Sequence, residues 1–327
     1  MNFKTLHFKT LFGAVALAAL AIAPQAKAAD VLPPGDIHFI CGYAAGSGAD
    51  IIVRFMSEKL RAIVGRNIIV ENKPGAIGNI ATEYVARSKP DGLTILVTGA
   101  NSVAGSAHLF KNPTYDAAKA FQIAATINRS TMMVAVRPDS PYKTAQELTA
   151  AMKAKGDKAS WSYANPTAKV LGALYREKAG LQSVDIAYRS GADFMNDLTS
   201  GAIDYAIPDN VQAMAQQRAG HMRVLAVGAG TRMKSAEEIP TMTELGYPMD
   251  VRTWWAALVP SATPKAVVDQ INAWFNLVVE SEDNRTFSAT IASDPWKTTP
   301  EEAQAYFIED IKRWGDYVKV AKIEPQG

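Results

Sequence analysis

The sequence predicts an α/β protein with largely parallel sheets arranged in two lobes. Apolar runs of four to seven residues alternate with longer segments in which apolar residues recur at helical spacing. This alternation is typical of chains built from βαβ units. The chain has 327 residues, and a single hydrophobic core seldom organises more than about 250–300 residues. Two α/β lobes are therefore the expected architecture.

The first part of the chain contains three predicted strands and two predicted helices. Asp50 fits the N-cap position of the first helix, and Gly65 fits the position just after its end. A polar loop over 99–102 follows the third strand, and ligands of open α/β sheets gather outside the carboxyl ends of strands. The predicted strands are 37–42, 68–71 and 93–98, and the predicted helices are 50–64 and 79–88.

A second series of strands and helices follows, and small polar loops come after three of its strands. Thr144 and Glu147 have the spacing of a capping box, which marks the start of a helix. The predicted strands are 121–127, 132–136, 159–163, 184–187, 205–207, 224–227 and 254–259, and the predicted helices are 144–155, 168–179, 194–200, 265–280 and 299–318.

The N-terminal segment reads as a secretory signal peptide. Lys4 and Lys9 precede an uncharged, apolar stretch, and Ala26-Lys27-Ala28 supplies the small residues that signal peptidase recognises. The apolar stretch is shorter than the ~20 residues that a membrane-spanning helix needs. The sequence therefore predicts an exported protein with cleavage near Ala28.

Charge and cysteine content exclude several classes of function. Removing residues 1–28 takes away three lysines and no acid, so the formal charge falls from +2 to −1. A nearly neutral chain lacks the basic field that nucleic-acid binding needs. The single cysteine, Cys41, is expected to be a buried apolar residue. No close pair of histidines or cysteines is present, so neither a zinc site nor a cofactor is expected.

The stretch 43–50, YAAGSGAD, lies between the first strand and the first helix. Gly46-Ser47-Gly48 and Glu71 match two parts of a dinucleotide-binding fingerprint, but Ile51 stands where its third glycine belongs. A second hypothesis is a cradle of backbone N–H groups that holds a carboxylate or another small anion. A turn that only needs glycine torsions is a third. Ile51 and the export signal favour the cradle, with Asp50 holding the helix N-terminus.

No set of catalytic residues stands out. His38, His108 and His221 are far apart in the sequence, and no serine or cysteine has the spacing of a nucleophile elbow. A binding protein is therefore favoured over an enzyme. A secreted α/β hydrolase and a ligand sensor for a membrane kinase are the alternatives.

Several blocks of the chain resemble the extracytoplasmic solute-binding receptors of tripartite tricarboxylate transporters, the Bug family. The most specific match is to YAAGSGADIIVRFMSEKL and the following NIIVENKPGAIGNIATEYVARSKPDGLTILV. Later blocks match at YRSGADFMNDLTSGAIDYAI and RVLAVGAGTRMKSAEEIPTMTELGY. The resemblance covers essentially the whole mature chain. The chain departs from the family pattern at Ala44, Ser47 and Ala49, where proline, glycine and threonine are common.

The resemblance implies a periplasmic binding protein of type II, a venus flytrap that closes around one small carboxylate. One lobe would be 29–127 with 231–327 and the other 128–230, each with a mixed, mainly parallel sheet flanked by helices, after a signal peptide over 1–28. The implied partners are the membrane subunits of a tripartite tricarboxylate transporter, and the implied state is a monomer. The implied ligand contacts are Tyr43, Ala45, Gly46, Ser47, Gly48, Asp50, Thr98, Asn101, Ser102, Asn165, Thr167, Ala168, Ser190, Asp193 and Asp209.

Four aromatic residues near these loops bear on the kind of carboxylate. Tyr43, Tyr163, Tyr188 and Trp254 could sandwich an aromatic ring, which would favour an aromatic carboxylate. Tyrosines at ordinary strand ends and a core position for Trp254 fit the sequence equally well. Citrate-like ligands and C4 dicarboxylates therefore remain alternatives. Arg189 could pair with a ligand carboxylate, but an exposed arginine after a strand is more often solvated or paired with a neighbouring acid.

Overall fold

Two mixed β-sheets, each flanked by helices, carry the fold. The computed structural model describes residues 31–327, so the predicted signal peptide over 1–28 lies outside the described residues. The strands are β1 (Ile37–Cys41), β2 (Ile68–Asn72), β3 (Thr94–Gly99), β4 (Phe121–Thr131), β5 (Met133–Val136), β6 (Ser160–Tyr163), β7 (Val184–Ala187), β8 (Tyr205–Ala206), β9 (Arg223–Val227), β10 (Arg252–Pro260) and β11 (Asp294–Pro295).

The helices pack on both sheets, and no helix within 31–327 is long and apolar enough to cross a membrane. They are α1 (Gly48–Val64), α2 (Asn79–Ala86), α3 (Ala100–Val103), α4 (Ser106–Leu109), α5 (Ala117–Ala120), α6 (Ala145–Lys155), α7 (Pro166–Ala179), α8 (Gly191–Ser200), α9 (Asn210–Arg218), α10 (Lys265–Val279), α11 (Glu282–Thr290) and α12 (Pro300–Val320).

The strand orders are β11-β4-β10-β3-β1-β2 in one sheet and β7-β6-β8-β5-β9 in the other. Strand β1 pairs in parallel with β2 and β3, and β6 pairs in parallel with β7 and β8. The remaining strand pairs are antiparallel. They involve β4, β5, β9 and β10, the strands that flank the two passages of the chain between the sheets. Parallel pairing is thus confined to the two βαβ regions.

The first βαβ unit shows how local sequence positions the first loop. Strand β1 is apolar because it lies between two parallel neighbours and is buried almost throughout. Cys41 is completely buried there, and desolvation raises the pKa of its thiol to about 11. Helix α1 ends at Gly65, whose φ of 70° places it in the left-handed region. The loop that starts α1 is therefore held between two rigid elements.

Hydrogen bonds tie the strands that pass between the two sheets. The hydroxyls of Ser130 and Thr253 are 2.8 Å apart, and Thr131 donates its hydroxyl hydrogen to the Val251 carbonyl at 2.7 Å. The first of these bonds joins β4 to β10, and the second joins β4 to Val251, the residue just before β10. All of these groups are buried or nearly so. These hydrogen bonds therefore hold together the strands that connect the two sheets.

Several segments differ from the sequence-based prediction. The polar loop predicted over 99–102 is largely helix α3, and helices α4, α5, α9 and α11 and strand β11 lie in segments that the prediction left without helix or strand. Helix α9 has few apolar residues, so its helical spacing is weak in the sequence. It is fixed by a cap and by tertiary contact: Asn210 donates its side-chain N–H to the Ile291 carbonyl at 2.6 Å.

Candidate functional site

A cavity of about 240 Å³ lies where the loop after β1 meets the loops after β6, β7 and β8. Its wall includes the starts of four helices and two residues of β10, Thr253 and Trp255. Because β7, β6 and β8 are parallel neighbours, their carboxyl ends open at one edge of the sheet. The cavity therefore lies where ligands of α/β folds bind.

The N-cap residues of four helices line this cavity: Ser47 of α1, Asn165 of α7, Ser190 of α8 and Asp209 of α9. Each cap uses a side-chain oxygen to accept the N–H three residues further on, at 2.9–3.4 Å. The first N–H groups of a helix carry partial positive charge, about half an elementary charge per helix. Four such ends at one cavity favour a negatively charged ligand.

The cap of α1 is Ser47, and the prediction that Asp50 caps this helix is wrong. The Ser47 hydroxyl accepts the Asp50 N–H at 3.3 Å and donates to the Ala44 carbonyl at 2.7 Å. Ser47 has extended torsions and the helix begins at Gly48, so Asp50 is the third helical residue. The sequence of the loop is compatible with either Ser47 or Asp50 as the N-cap. The hydrogen bond that the Ser47 hydroxyl accepts from the Asp50 N–H makes Ser47 the cap.

The Asp50 carboxylate instead ties the first loop to the sheet. It accepts the Gly46 N–H at 2.8 Å, Arg54 Nε at 2.8 Å and Asn72 Nδ2 at 2.9 Å. Burial raises the pKa of this carboxyl, but the hydrogen bonds from Arg54, Gly46 and Asn72 outweigh it and hold the pKa below its usual value. The Gly46 N–H is occupied by this bond. These hydrogen bonds thus fix the first loop to α1 and β2.

The N–H groups of Gly48 and Ala49 remain for a ligand at the start of α1. Both residues line the cavity, and neither N–H has a hydrogen-bond partner within the described part of the chain. Gly48 also touches the start of α9: a Cβ on it would lie 2.9 Å from Val211 Cβ and 3.3 Å from Asp209 Oδ1. Glycine is therefore needed at 48 for the close approach of α1 and α9.

Two charged residues, Arg189 and Asp209, line the cavity within the part of the chain that the structure describes. The Arg189 side chain is 92% exposed, and its Nε lies 3.5 Å from an Asp193 carboxylate oxygen. Asp209 is half-buried, has no ion-pair partner among the described residues, and accepts the Gln212 N–H at 2.9 Å. Desolvation raises the pKa of the Asp209 carboxyl against this hydrogen bond. The cavity wall thus contains one exposed cation and one acid without an ion-pair partner among the described residues.

The aromatic residues at the cavity are Tyr43 and Trp255, whose ring centroids lie 6.0 Å apart. Trp254 is in the core: it is 1% exposed and donates its indole N–H to Asp310 at 2.9 Å. Tyr188 bonds to Asp197 and, like Tyr163, is not part of the cavity wall. Trp255 was not predicted from the sequence.

Some of the predicted contact residues line the cavity, and the others lie outside its wall. The wall contains Tyr43, Ser47, Gly48, Asn165, Ser190 and Asp209. Outside it lie Ala45, Gly46, Asp50, Thr98, Ser102, Thr167, Ala168 and Asp193. Thr98 and Ser102 are buried and their hydroxyls bond to each other at 2.8 Å, while Asn101 lies in α3. The wall residues that the prediction did not include are chiefly apolar: Ala44, Ala49, Ile52, Ala164 and Val211 lie close in sequence to predicted residues, and Met132 and Trp255 come from other segments.

The described residues contain no metal site, because no group of three His, Cys, Asp or Glu side chains within 31–327 is placed to hold an ion. His38 Nδ1 lies 2.7 Å from a Glu71 carboxylate oxygen. Neither residue lines the cavity. The cavity wall therefore offers hydrogen-bond donors and apolar surface for binding.

Comparison with known proteins identifies close structural relatives. The family described as the tripartite tricarboxylate transporter family receptor matches residues 52–323. BugT of Bordetella pertussis is 25% identical over 295 residues, covering 89% of this chain and 90% of BugT. The periplasmic binding protein BugD has a TM-score of 0.79 and 28% identity, covering 90% of this chain and 100% of that chain. R. palustris Rpa4515, solved with adipate, has a TM-score of 0.82 and 22% identity, covering 89% and 99%. The predicted resemblance and the two-lobed α/β fold are confirmed.

Proposed function

Because the chain belongs to the tripartite tricarboxylate transporter family of receptors, we propose that its cavity captures a small organic carboxylate for a transporter of that type. Members of this family are solute receptors rather than enzymes. The observation that carries the proposal is the convergence of four helix N-termini, with Arg189, on one cavity. Both features attract negative charge.

The first turns of α7 and α8 hold the carboxylate in this proposal, because at the start of α1 a ligand carboxylate would lie beside Asp209 Oδ1. Neutral dipoles suffice because closing the cavity removes water, and hydrogen bonds strengthen in a low dielectric. Arg189 turns from Asp193 to the ligand, which costs little because exposed ion pairs contribute only about 0–1 kcal/mol. Binding then stabilises the closed form of the receptor.

The remaining predictions about the molecule join this proposal. One lobe consists of 29–127 with 231–327 and the other of 128–230, and the protein works in the periplasm as a monomer. Its partners are the membrane subunits of the transporter. Cleavage near Ala28 is tested by the intact mass of the exported protein. A mass that retains residues 1–28 would contradict the proposed processing.

Calorimetric titration with aliphatic and aromatic mono- and dicarboxylates tests the proposed function. We expect at least one of them to bind, and Arg189→Gln to weaken that binding about ten-fold, as loss of a charged hydrogen bond predicts. Arg87→Gln is the matched control, because Arg87 pairs with Glu83 in the same i,i+4 geometry and lies outside the cavity. Absence of binding by every carboxylate would contradict the proposal.

A further inference from the structure

We infer that the ligand of this cavity carries a single carboxylate on a flat, aromatic body, and that Trp255 and Asp209 select it. This inference rests on the proposed function and narrows it. It excludes ligands with a second carboxylate, such as aliphatic dicarboxylates. Three features of the cavity carry it: its aromatic wall, its volume and the placement of its two charges.

The aromatic wall favours a flat, apolar body. Tyr43 and Trp255 lie with ring centroids 6.0 Å apart and an interplanar angle of 43°, and both face the cavity. Ile52, Met132 and Val211 add aliphatic surface. A ligand ring can pack against one indole or phenol face, and such pairs contribute about 0.5–1.5 kcal/mol beyond area burial. A flexible aliphatic chain gains no such contact and loses rotamer freedom on binding.

The volume matches one ring and one carboxyl group. An apolar protein cavity of about 150 Å³ holds a benzene molecule. The cavity here measures about 240 Å³, which leaves room for a carboxyl group and for few atoms more. The ligand is therefore close to a benzoate in size.

The two charged residues enter the cavity wall from two different loops. Arg189 follows β7 and Asp209 follows β8, and β6 runs between these strands. Strands are about 4.8 Å apart, so the two strand ends are about 10 Å apart. A ligand carboxylate at Arg189 leaves the far end of the ligand near Asp209. Because Asp209 has no cation partner among the described residues, a second carboxylate there would meet an uncompensated acid.

Titration with matched ligands tests the inference on the wild-type protein. Benzoate is compared with terephthalate, which adds a second carboxylate to the same ring, with cyclohexanecarboxylate, which lacks aromaticity, and with adipate. We expect benzoate to bind at least ten-fold more tightly than terephthalate and adipate, and more tightly than cyclohexanecarboxylate. Tighter binding of adipate or terephthalate would overturn the inference and leave the proposed function standing. Absence of binding by all four would overturn the inference, whereas the proposed function fails only if every carboxylate of the wider panel fails to bind.

Two variants test the selecting residues. Asp209→Asn keeps an efficient N-cap, so the fold is preserved while the charge is removed. We expect the preference for benzoate over terephthalate to fall at least ten-fold. Trp255→Leu should lower the preference for benzoate over cyclohexanecarboxylate. Asp116→Asn is the matched control, because Asp116 caps α5 in an exposed position away from the cavity. Unchanged preferences in folded Asp209→Asn would overturn the role of Asp209.

Discussion

Replacing Asp50 by alanine tests whether the Asp50 carboxylate holds the first loop in place. The Asp50 carboxylate is 3% exposed and accepts hydrogen bonds from the Gly46 N–H, Asn72 and Arg54 at 2.8–2.9 Å. A hydrogen bond to a charged group contributes about 1.5–3 kcal/mol. The Arg54 side chain is 53% exposed, so its ion pair is screened and counts for little. Two protected bonds remain, and Asp50→Ala should lower the free energy of unfolding by about 3 kcal/mol.

Equilibrium unfolding in urea, followed by tryptophan fluorescence, measures this difference. Asp116→Ala is the matched control, because Asp116 caps an exposed helix and should cost only about 1 kcal/mol. Ligand affinity of folded Asp50→Ala should also fall, because Ser47 and Gly48 leave their positions with the loop. A loss no larger than that of Asp116→Ala would refute the idea that Asp50 holds the loop.

The difference in the free energy of unfolding between wild type and Asp50→Ala should depend on pH in a definite direction. The folded state lowers the pKa of Asp50, so its contribution is fully present above the unfolded value of about 3.9. The contribution is lost as the pH falls through the lowered folded pKa. The stability gap between wild type and Asp50→Ala should therefore be constant near neutral pH and shrink below about pH 4. A gap that persists undiminished in more acid solution would contradict this assignment.

Two further variants test close approaches in the fold. Gly48→Ala places a Cβ 2.9 Å from Val211 Cβ, so α1 and α9 cannot approach fully. Titration should show affinity at least ten-fold lower with the thermal midpoint almost unchanged, since alanine is favoured in helices; unchanged affinity would contradict this. Gly172→Ala places a Cβ 2.0 Å from the buried Trp161 ring and should cost about 1–3 kcal/mol in urea unfolding. A loss below about 0.5 kcal/mol would show that the ring yields freely.

Local signals in the sequence predicted most helices and strands. The capping box of Thr144 and Glu147 is present, with both reciprocal hydrogen bonds. Gly65 ends α1 as predicted. Such signals act within one turn of chain, so they are readable without tertiary information. Helix α9 escaped prediction because its apolar face is weak and its first residue, Asn210, is held by the distant Ile291 carbonyl.

The loops of the site were predictable from small polar residues after strands, whereas contacts between distant elements were not. Ser47, Asn165, Ser190 and Asp209 are such residues and all line the cavity, and the order β7-β6-β8 brings the last three to one edge of their sheet. Arg189 also follows a predicted strand, but its exposed side chain can pair either with Asp193 or with a ligand carboxylate. Small polar residues after strands therefore identify which loops form the cavity. They do not identify its apolar wall residues, such as Trp255.

The adjacent tryptophans of β10 show why the wall needs the structure. Successive side chains of a strand point to opposite faces, so one of Trp254 and Trp255 must face the cavity and the other the core. Both are aromatic, and the sequence alone cannot choose the face. The choice follows from register: Trp255 pairs with Gly99 on one side and with Asn128 on the other. This register turns Trp254 to the buried Asp310 and leaves Trp255 beside Tyr43. The position of Trp255 at the cavity therefore depends on pairing between strands that are distant in sequence.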